Sequence, residues 1–234
     1  MNIIITGGSR GIGRSVAMRF AREGWDIALC ARDKDALART REVLLQLNPA
    51  ITVMTASADL GTKDAVLDFA EKVKAVFPVP DVLVNNAGIF IPGAVHEEAD
   101  GVLETTMAVN LYSAYHLTRA LLPAMKTAGR GHIINLCSTA SLRAYPNGGA
   151  YSISKFALLG FSRNLREELK PHNIKVTAVC PGPTLTDSWA GYEGPPERLM
   201  PPEDVAEAIW MTCNLASQTV VEDIVLRPLP GDLG

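Results

Sequence analysis

The chain has 234 residues, 47% of them hydrophobic, enough to enclose a large core in one folded unit. Its formal net charge is −3 and the charges are dispersed, so neither nucleic acid nor an anionic membrane is indicated as a partner. No apolar run reaches the ~18 residues of a membrane-spanning helix, and the first residues already read as a core strand, leaving no room for a signal peptide. Cys30, Cys137, Cys180 and Cys213 match neither a zinc nor a disulfide spacing. Four buried thiols in a reducing cytoplasm are expected, with no metal.

Along the chain, strands and helices alternate. The β-branched run at 2–6 suits a buried parallel strand. Thr6-Gly7-Gly8-Ser9-Arg10-Gly11-Ile12-Gly13 follows, then a helical pattern over 11–23 with apolar Val16, Ala17, Met18 and Phe20. Strand, glycine-rich turn and helix bring backbone N–H groups and a positive helix end close to a phosphate. The spacing here is G-x3-G-x-G rather than G-x-G-x-x-G. Further strands are predicted at 26–30, 51–55, 81–85, 131–137, 174–180 and 223–227. Further helices are predicted at 33–47, 63–76, 100–127, 149–170 and 203–216. This order gives an α/β fold over a single domain, 1–234. It is a doubly wound, seven-stranded parallel sheet between two helical layers, the Rossmann arrangement. The Pro- and Gly-rich stretch 183–202 follows a strand end, where ligands bind in such sheets. Its length favours a lid over a plain surface connection.

Tyr151 and Lys155 are four residues apart and share a helix face. A free tyrosine titrates near pH ~10, and moving it to roughly 7–8 takes about 3–4 kcal/mol. An ammonium about 4 Å away supplies about 4 kcal/mol at an effective dielectric of about 20. Such a pair makes a tyrosine that exchanges protons near neutrality. The same spacing also fits a surface tyrosine stacked on a lysine stem.

Other residues accompany that pair in a fixed order. Thr6-Gly7-x3-Gly11-x-Gly13 comes first, then Asn85-Asn86-Ala87-Gly88 after Val82-Leu83-Val84, then Asn110. Ser138 lies 13 residues before Tyr151, and Pro181-Gly182-Pro183-Thr184-Leu185-Thr186 closes the series. Together they resemble the single-domain short-chain dehydrogenase/reductase superfamily, over essentially the whole chain. Thr184 stands where the family's PGxVxT segment has valine. The resemblance extends to 3-oxoacyl-acyl-carrier-protein reductase-like and sepiapterin or carbonyl reductase-like members. The segment Glu222–Pro228 lacks the glycine-rich ending common in the former.

The resemblance implies an NADP(H)-dependent oxidoreductase that interconverts a small-molecule carbonyl and a secondary alcohol by hydride transfer. Tyr151 would be the general acid/base. Lys155 would lower its pKa and bind the nicotinamide ribose. Ser138 would hydrogen-bond the carbonyl oxygen, and Asn110 would hold a water linking Lys155 to solvent. The implied cofactor site begins with Thr6, Gly7, Ser9, Arg10, Gly11, Ile12 and Gly13. It continues through Arg32, Asp59, Leu60, Asn86, Ala87 and Gly88, and ends with Tyr151, Lys155, Pro181, Gly182, Thr184 and Thr186.

Cofactor choice can be read from the second strand. An acid at its end would bind a ribose 2′-hydroxyl. Here Ala31 holds that place, Arg32 follows, and Arg10 can approach from the glycine turn. Two guanidiniums suit a 2′-phosphate. Asp33 could serve as the ribose acid instead, but its place before Lys34-Asp35-Ala36-Leu37 favours an N-cap. NADP(H) is therefore expected over NAD(H). Asp59 resembles the family's adenine-contacting acid, or caps a helix.

The substrate is less legible. Segments 89–96, 140–149 and 184–200 offer Phe90, Leu142, Tyr145, Trp189 and Tyr192, with Arg143 and Arg198 available to an anion. His96, His116, His132 and His172 are expected on loops or helix surfaces. Helices 100–127 and 149–170 carry Val109, Leu111, Ala114, Leu117 and Leu121 on one, Phe156, Leu159, Phe161 and Leu165 on the other. That is more apolar surface than covering a sheet requires. In related reductases these helices form a four-helix bundle with their symmetry mates, so a homodimer or homotetramer is expected. Two other functions share the pattern. A non-catalytic NADP-binding sensor or scaffold would not need the intact Ser138, Tyr151 and Lys155 set. An epimerase or dehydratase of the extended branch would need a C-terminal domain for which 234 residues leave no space.

Overall fold

A computed structural model describes residues 1–189 and 191–232. Seven parallel strands, β1 (Asn2–Thr6), β2 (Asp26–Ala31), β3 (Val53–Ser57), β4 (Val82–Asn85), β5 (Gly131–Leu136), β6 (Ile174–Pro181) and β7 (Asp223–Leu226), form one sheet. The order is β3-β2-β1-β4-β5-β6-β7, so the winding reverses between β1 and β4. A crevice opens beyond the strand C-termini at such a reversal, and the functional residues collect there.

Helices α1 (Gly11–Arg22), α2 (Lys34–Leu47), α3 (Lys63–Val76), α4 (Val102–Met107), α5 (Ser113–Ala128), α6 (Gly149–Leu169) and α7 (Pro202–Cys213) cover both faces. The strand interiors are mostly apolar on both sides, as a sheet sandwiched between helices requires, with His132, Asn135 and Thr177 as buried polar exceptions. Ile3 and Ile5 pack with Val16, Phe20, Leu44 and Ile209 on one face. Ile4 packs with Phe69, Leu117, Leu121 and Leu165 on the other. Phe20, Trp25 and Trp210 meet edge to face, at 5.0–6.1 Å between rings, and lock α1 to α7.

The element pattern expected from sequence is present, with local differences. The third strand begins at Val53, two residues later than expected, because its ladder starts with Val53 opposite Ile27. Before that, Thr52 N–H donates to Asp26 Oδ1 and Ala50 N–H to Asn48 Oδ1, which is turn geometry. The helix expected over 100–127 is interrupted by a π-helical turn at Ala108–Tyr112, between α4 and α5. His132 is not on a surface: it lies buried in β5. Cys30, Cys137 and Cys180 are buried, but Cys213 is only partly so.

Candidate active site

The cavity at the switch point measures about 950 Å³ and is shaped from its floor upward. Asn86, just after β4, ties two loops together. Its side-chain nitrogen donates to Thr6 O at 2.8 Å and Gly7 O at 3.1 Å. Thr6 Oγ1 in turn accepts from the backbone N–H groups of Asn86 and Ala87. This draws the glycine turn so close to β4 that side chains are excluded. A Cβ on Gly13 would lie 2.5 Å from Asn86 Nδ2 and from Gly7 O. Gly7 and Gly11 adopt φ values of +66° and +53°, which disfavour other residues.

The result is a cradle for an anion. Arg10 precedes α1 without making a side-chain cap, so the first N–H groups of the helix stay free. These residues fit a pyrophosphate by the shape of the cradle and its uncapped donors. Ser9, Arg10, Gly11, Ile12, Arg32, Asp59, Leu60, Ala87 and Gly88 all border the cavity, as does Asn86. Thr6 and Gly13 do not border it. They set the spacing behind its wall.

At the end of the cavity lined by Arg32 and Asp33, Asp33 Oδ1 accepts from Ala36 N–H at 2.9 Å and caps α2. That N–H, chiefly, holds the Asp33 carboxyl below its usual range. One oxygen of the acid is thereby engaged, and Arg32 and Asp33 both border the cavity. Asp59 Oδ1 accepts from Gly61 N–H, whereas the cap of α3 is Thr62. Arg10 reaches across the mouth to Asp187 at 2.8 Å, an exposed pair.

The opposite end carries the proton-transfer candidates. Ser138 ends β5's extension and caps a short turn at Thr139–Ser141. Its oxygen accepts from Ala140 N–H at 3.1 Å, which leaves its own proton for another acceptor. Tyr151 and Lys155 project from the first turns of α6. That helix starts where Glu98 Oε1 accepts from Ala150 N–H at 2.8 Å, a cap supplied from 52 residues away. Lys155 Nζ is buried and donates to Leu136 O at 2.6 Å. It sits 5.8 Å from the Tyr151 ring centre. Phe90 meets the other side of that ring edge to face at 5.0 Å.

Electrostatics here differ from the sequence expectation. Burial raises the Tyr151 phenol above its ordinary value, and the Ser138 hydroxyl only partly opposes this. Burial also lowers the Lys155 ammonium, against the pull of Cys137 and Cys180. With its ammonium turned to a backbone carbonyl, Lys155 does not bring the tyrosine toward neutrality in this state. The phenol therefore stands as a protonated donor.

Asn110 lies on the π-helical turn, behind the wall. Its oxygen accepts from Ile89 N–H at 2.8 Å, and its nitrogen donates to Ile89 O and to Ser154 Oγ. Ser154 Oγ then donates to Tyr151 O at 2.7 Å. Both amide protons are thus used, so the side chain holds the Ile89 loop against the start of α6. Gly88 fits between: a Cβ there would lie 3.4 Å from Asn110 Oδ1 and 3.6 Å from Lys155 Nζ.

Pro181, Gly182, Thr184 and Thr186 form the third wall. Thr184 pairs with Met200 as an isolated bridge, which ties these two positions together beside the cavity. Of the expected substrate-side residues, Phe90, Arg143, Tyr145 and Trp189 border the cavity. Leu142 and Tyr192 do not. Tyr192 packs against Trp189, and Arg198 turns to Asp232 O. The Glu98 cap, the Ser154 relay and the Leu136 carbonyl had no signal in the sequence, because each depends on chain segments that meet only in the fold.

Comparison with known proteins agrees with this geometry. Residues 1–194 match the family model of the short chain dehydrogenases. A sepiapterin reductase from Chlorobaculum tepidum is 30% identical over 237 residues, covering 99% of this chain and 97% of its own length. An alcohol dehydrogenase from Thermococcus sibiricus, solved with 5-hydroxy-NADP, is 29% identical and superposes with a TM-score of 0.92 over 100% of this chain and 98% of its own. The L-sorbose reductase of Gluconobacter frateurii, solved with NADPH and L-sorbose, is 28% identical with a TM-score of 0.89, covering 97% of this chain and 95% of its own. A seven-stranded parallel sheet, a glycine cradle at its switch point and a Ser–Tyr–Lys cluster beyond it place the chain in the short-chain dehydrogenase/reductase family of oxidoreductases.

Proposed function

We propose that the protein reduces a small-molecule ketone or aldehyde to an alcohol with NADPH, and runs the reverse oxidation, with Tyr151 as general acid/base. The observation that carries this reading is the convergence of Ser138, Tyr151 and Lys155 on the same cavity as the uncapped start of α1. A nicotinamide cofactor, when bound, supplies or accepts the hydride. The chain does the rest. Gly7, Gly11 and the start of α1 bind the pyrophosphate, and Asn86 and Gly88 hold the wall on which the nicotinamide half would lie. Ser138 donates its free proton to the substrate oxygen and orients it. Tyr151, held protonated by burial, gives its proton to that oxygen as negative charge develops there. Lys155 stabilises the phenolate left behind, once its ammonium turns from Leu136 O toward the ring. Asn110 positions Tyr151 through Ser154, and any water it holds is bound through an oxygen.

We base a preference for NADP(H) over NAD(H) on Arg32, which borders the cavity beside the helix-capping Asp33, with Arg10 at the mouth in an exposed pair with Asp187. The two similar solved structures named above hold 5-hydroxy-NADP and NADPH. We also read 1–234 as a single domain that works in the cytoplasm as a homodimer or homotetramer. No helix among the described residues is long and apolar enough to cross a membrane.

The decisive test is Tyr151→Phe, which removes the proton and little surface. NADPH oxidation against a panel of carbonyl compounds should fall by roughly 10²–10⁴, the usual worth of a general acid. NADPH binding, followed by its fluorescence, should be nearly intact. Turnover at the wild-type rate would remove Tyr151 from the mechanism. A wild-type protein that binds NADPH but reduces no carbonyl would be a binding protein on the same fold.

A further inference from the structure

The cavity is electrostatically lopsided at its substrate end. Its acids lie elsewhere or are engaged. Asp33 caps α2, Asp59 accepts from Gly61 N–H, Asp187 pairs with Arg10, and Asp232 pairs with Arg227 at 3.0 Å. Glu98, near the same loop, is engaged as the cap of α6. Arg143 borders the cavity beside Ser138, Thr139, Tyr145 and Tyr151, and forms no ion pair among the described residues.

Arg143 is not placed at random along a loop. Ser138 caps the turn at Thr139–Ser141, and Arg143 N–H donates to Thr139 O at 3.3 Å, extending the same helical turn. The guanidinium is therefore mounted on the element that positions the Ser138 hydroxyl. Aromatic side chains Phe90, Tyr145 and Trp189 border the same cavity, and Arg143 is exposed at it. Burial pushes the Tyr145 phenol up to about 12, so it remains a neutral donor that does not repel an anion. A guanidinium presents two parallel donors to a carboxylate, which fixes direction as well as distance.

We propose that Arg143 binds a carboxylate on the substrate, so that the substrate class is oxo acids and the corresponding hydroxy acids. This rests on the carbonyl-reductase reading of the same cavity. The ketone meets Ser138 and Tyr151, the carboxylate meets Arg143, and the aromatic walls enclose the short carbon chain between. In the forward direction the ketone carbon gains hydride from NADPH and its oxygen gains the Tyr151 proton. The product is the hydroxy acid with its carboxylate unchanged.

The test measures NADPH oxidation with 2-, 3- and 4-oxo acids and with their ethyl esters. Wild-type protein should favour at least one acid over its ester in kcat/KM. Arg143→Ala should raise KM for that acid by about 10- to 100-fold, the loss of one charge-assisted contact, with kcat little changed. The ester should be reduced equally well by both proteins, which shows that the site is intact. Arg143→Lys should recover part of the loss. An acid whose KM is unmoved by Arg143→Ala would overturn the anchor. So would wild-type reduction of esters or neutral ketones with none of the acids, and in both cases the reductase reading would survive. Wild-type failure on acids, esters and neutral carbonyls alike would overturn both.

Discussion

Arg32 is the residue on which the proposed cofactor choice can be tested. It borders the cavity next to Asp33, one oxygen of which accepts from Ala36 N–H. Arg32→Asp replaces an attractive charge with a repulsive one at the 2′-position. The ratio of kcat/KM for NADPH over NADH should fall by roughly 10–100-fold, the worth of a charge-assisted contact. An unchanged ratio would show that another residue reads the phosphate. Residues of this kind were legible in the sequence because their geometry is local. Asp33 precedes a helix, Tyr151 and Lys155 are one turn apart, and the glycines punctuate a strand-to-helix turn. The electrostatics of Tyr151 were not legible. Spacing places an ammonium near the phenol, but burial acts on both groups, and the Leu136 carbonyl captures the ammonium. Desolvation depends on everything packed around a group, and no short motif encodes it.

At the scale of elements, strand and helix identity was legible from apolar periodicity, while their interruptions were not. The π-helical turn at Ala108–Tyr112 carries Asn110, which bonds Ile89 and Ser154, both remote in sequence. His132 was misplaced for a related reason: its ring partners, Thr177 and Cys213, come from two other segments. Thr177 Oγ1 donates to Val221 O at 2.6 Å, so His132 Nε2–H must donate to Thr177. Nδ1 is then left to accept from the Cys213 thiol. This relay joins β5, β6, the end of α7 and the approach to β7. Burial, with Lys175 adding to it, pushes the His132 pKa down to about 3. In the unfolded chain it returns to about 6.5. Between those values the unfolded state binds the extra proton, so stability falls as pH falls. The slope approaches about 1.4 kcal/mol per unit well below 6.5. The urea midpoint should therefore drop between about pH 7 and about pH 5. His132→Gln should flatten that dependence whatever its baseline stability, and an unchanged slope would assign the acid sensitivity to other groups, His116 first among them.

The whole molecule still presents apolar surface. Of the apolar residues that the sequence puts on these two helices, Ala114, Leu117, Leu121, Leu159 and Leu165 are buried and make up the part that covers the sheet. A different set is left outside. Tyr112 is 50% exposed, Phe156 45% and Ile153 41%, and Tyr115 and Leu103 accompany them. Ile153 and Phe156 line an apolar groove with Val95 and Tyr145, on the outer side of the helix that carries Tyr151 and Lys155. Tyr145 also borders the substrate end of the main cavity. A second copy seated on α5 and α6 would cover this surface, brace α6 from behind and fix Tyr145 between groove and site. Light scattering at low micromolar concentration should accordingly give a mass at least twice the 25.1 kDa of one chain. Phe156→Glu places a charge in the covered surface and should shift the protein toward monomer. If α6 depends on that bracing, reductase activity should decline together with the dimer on dilution. A single-chain mass for the wild type would refute the assembly, and a fully active monomeric Phe156→Glu would separate assembly from catalysis.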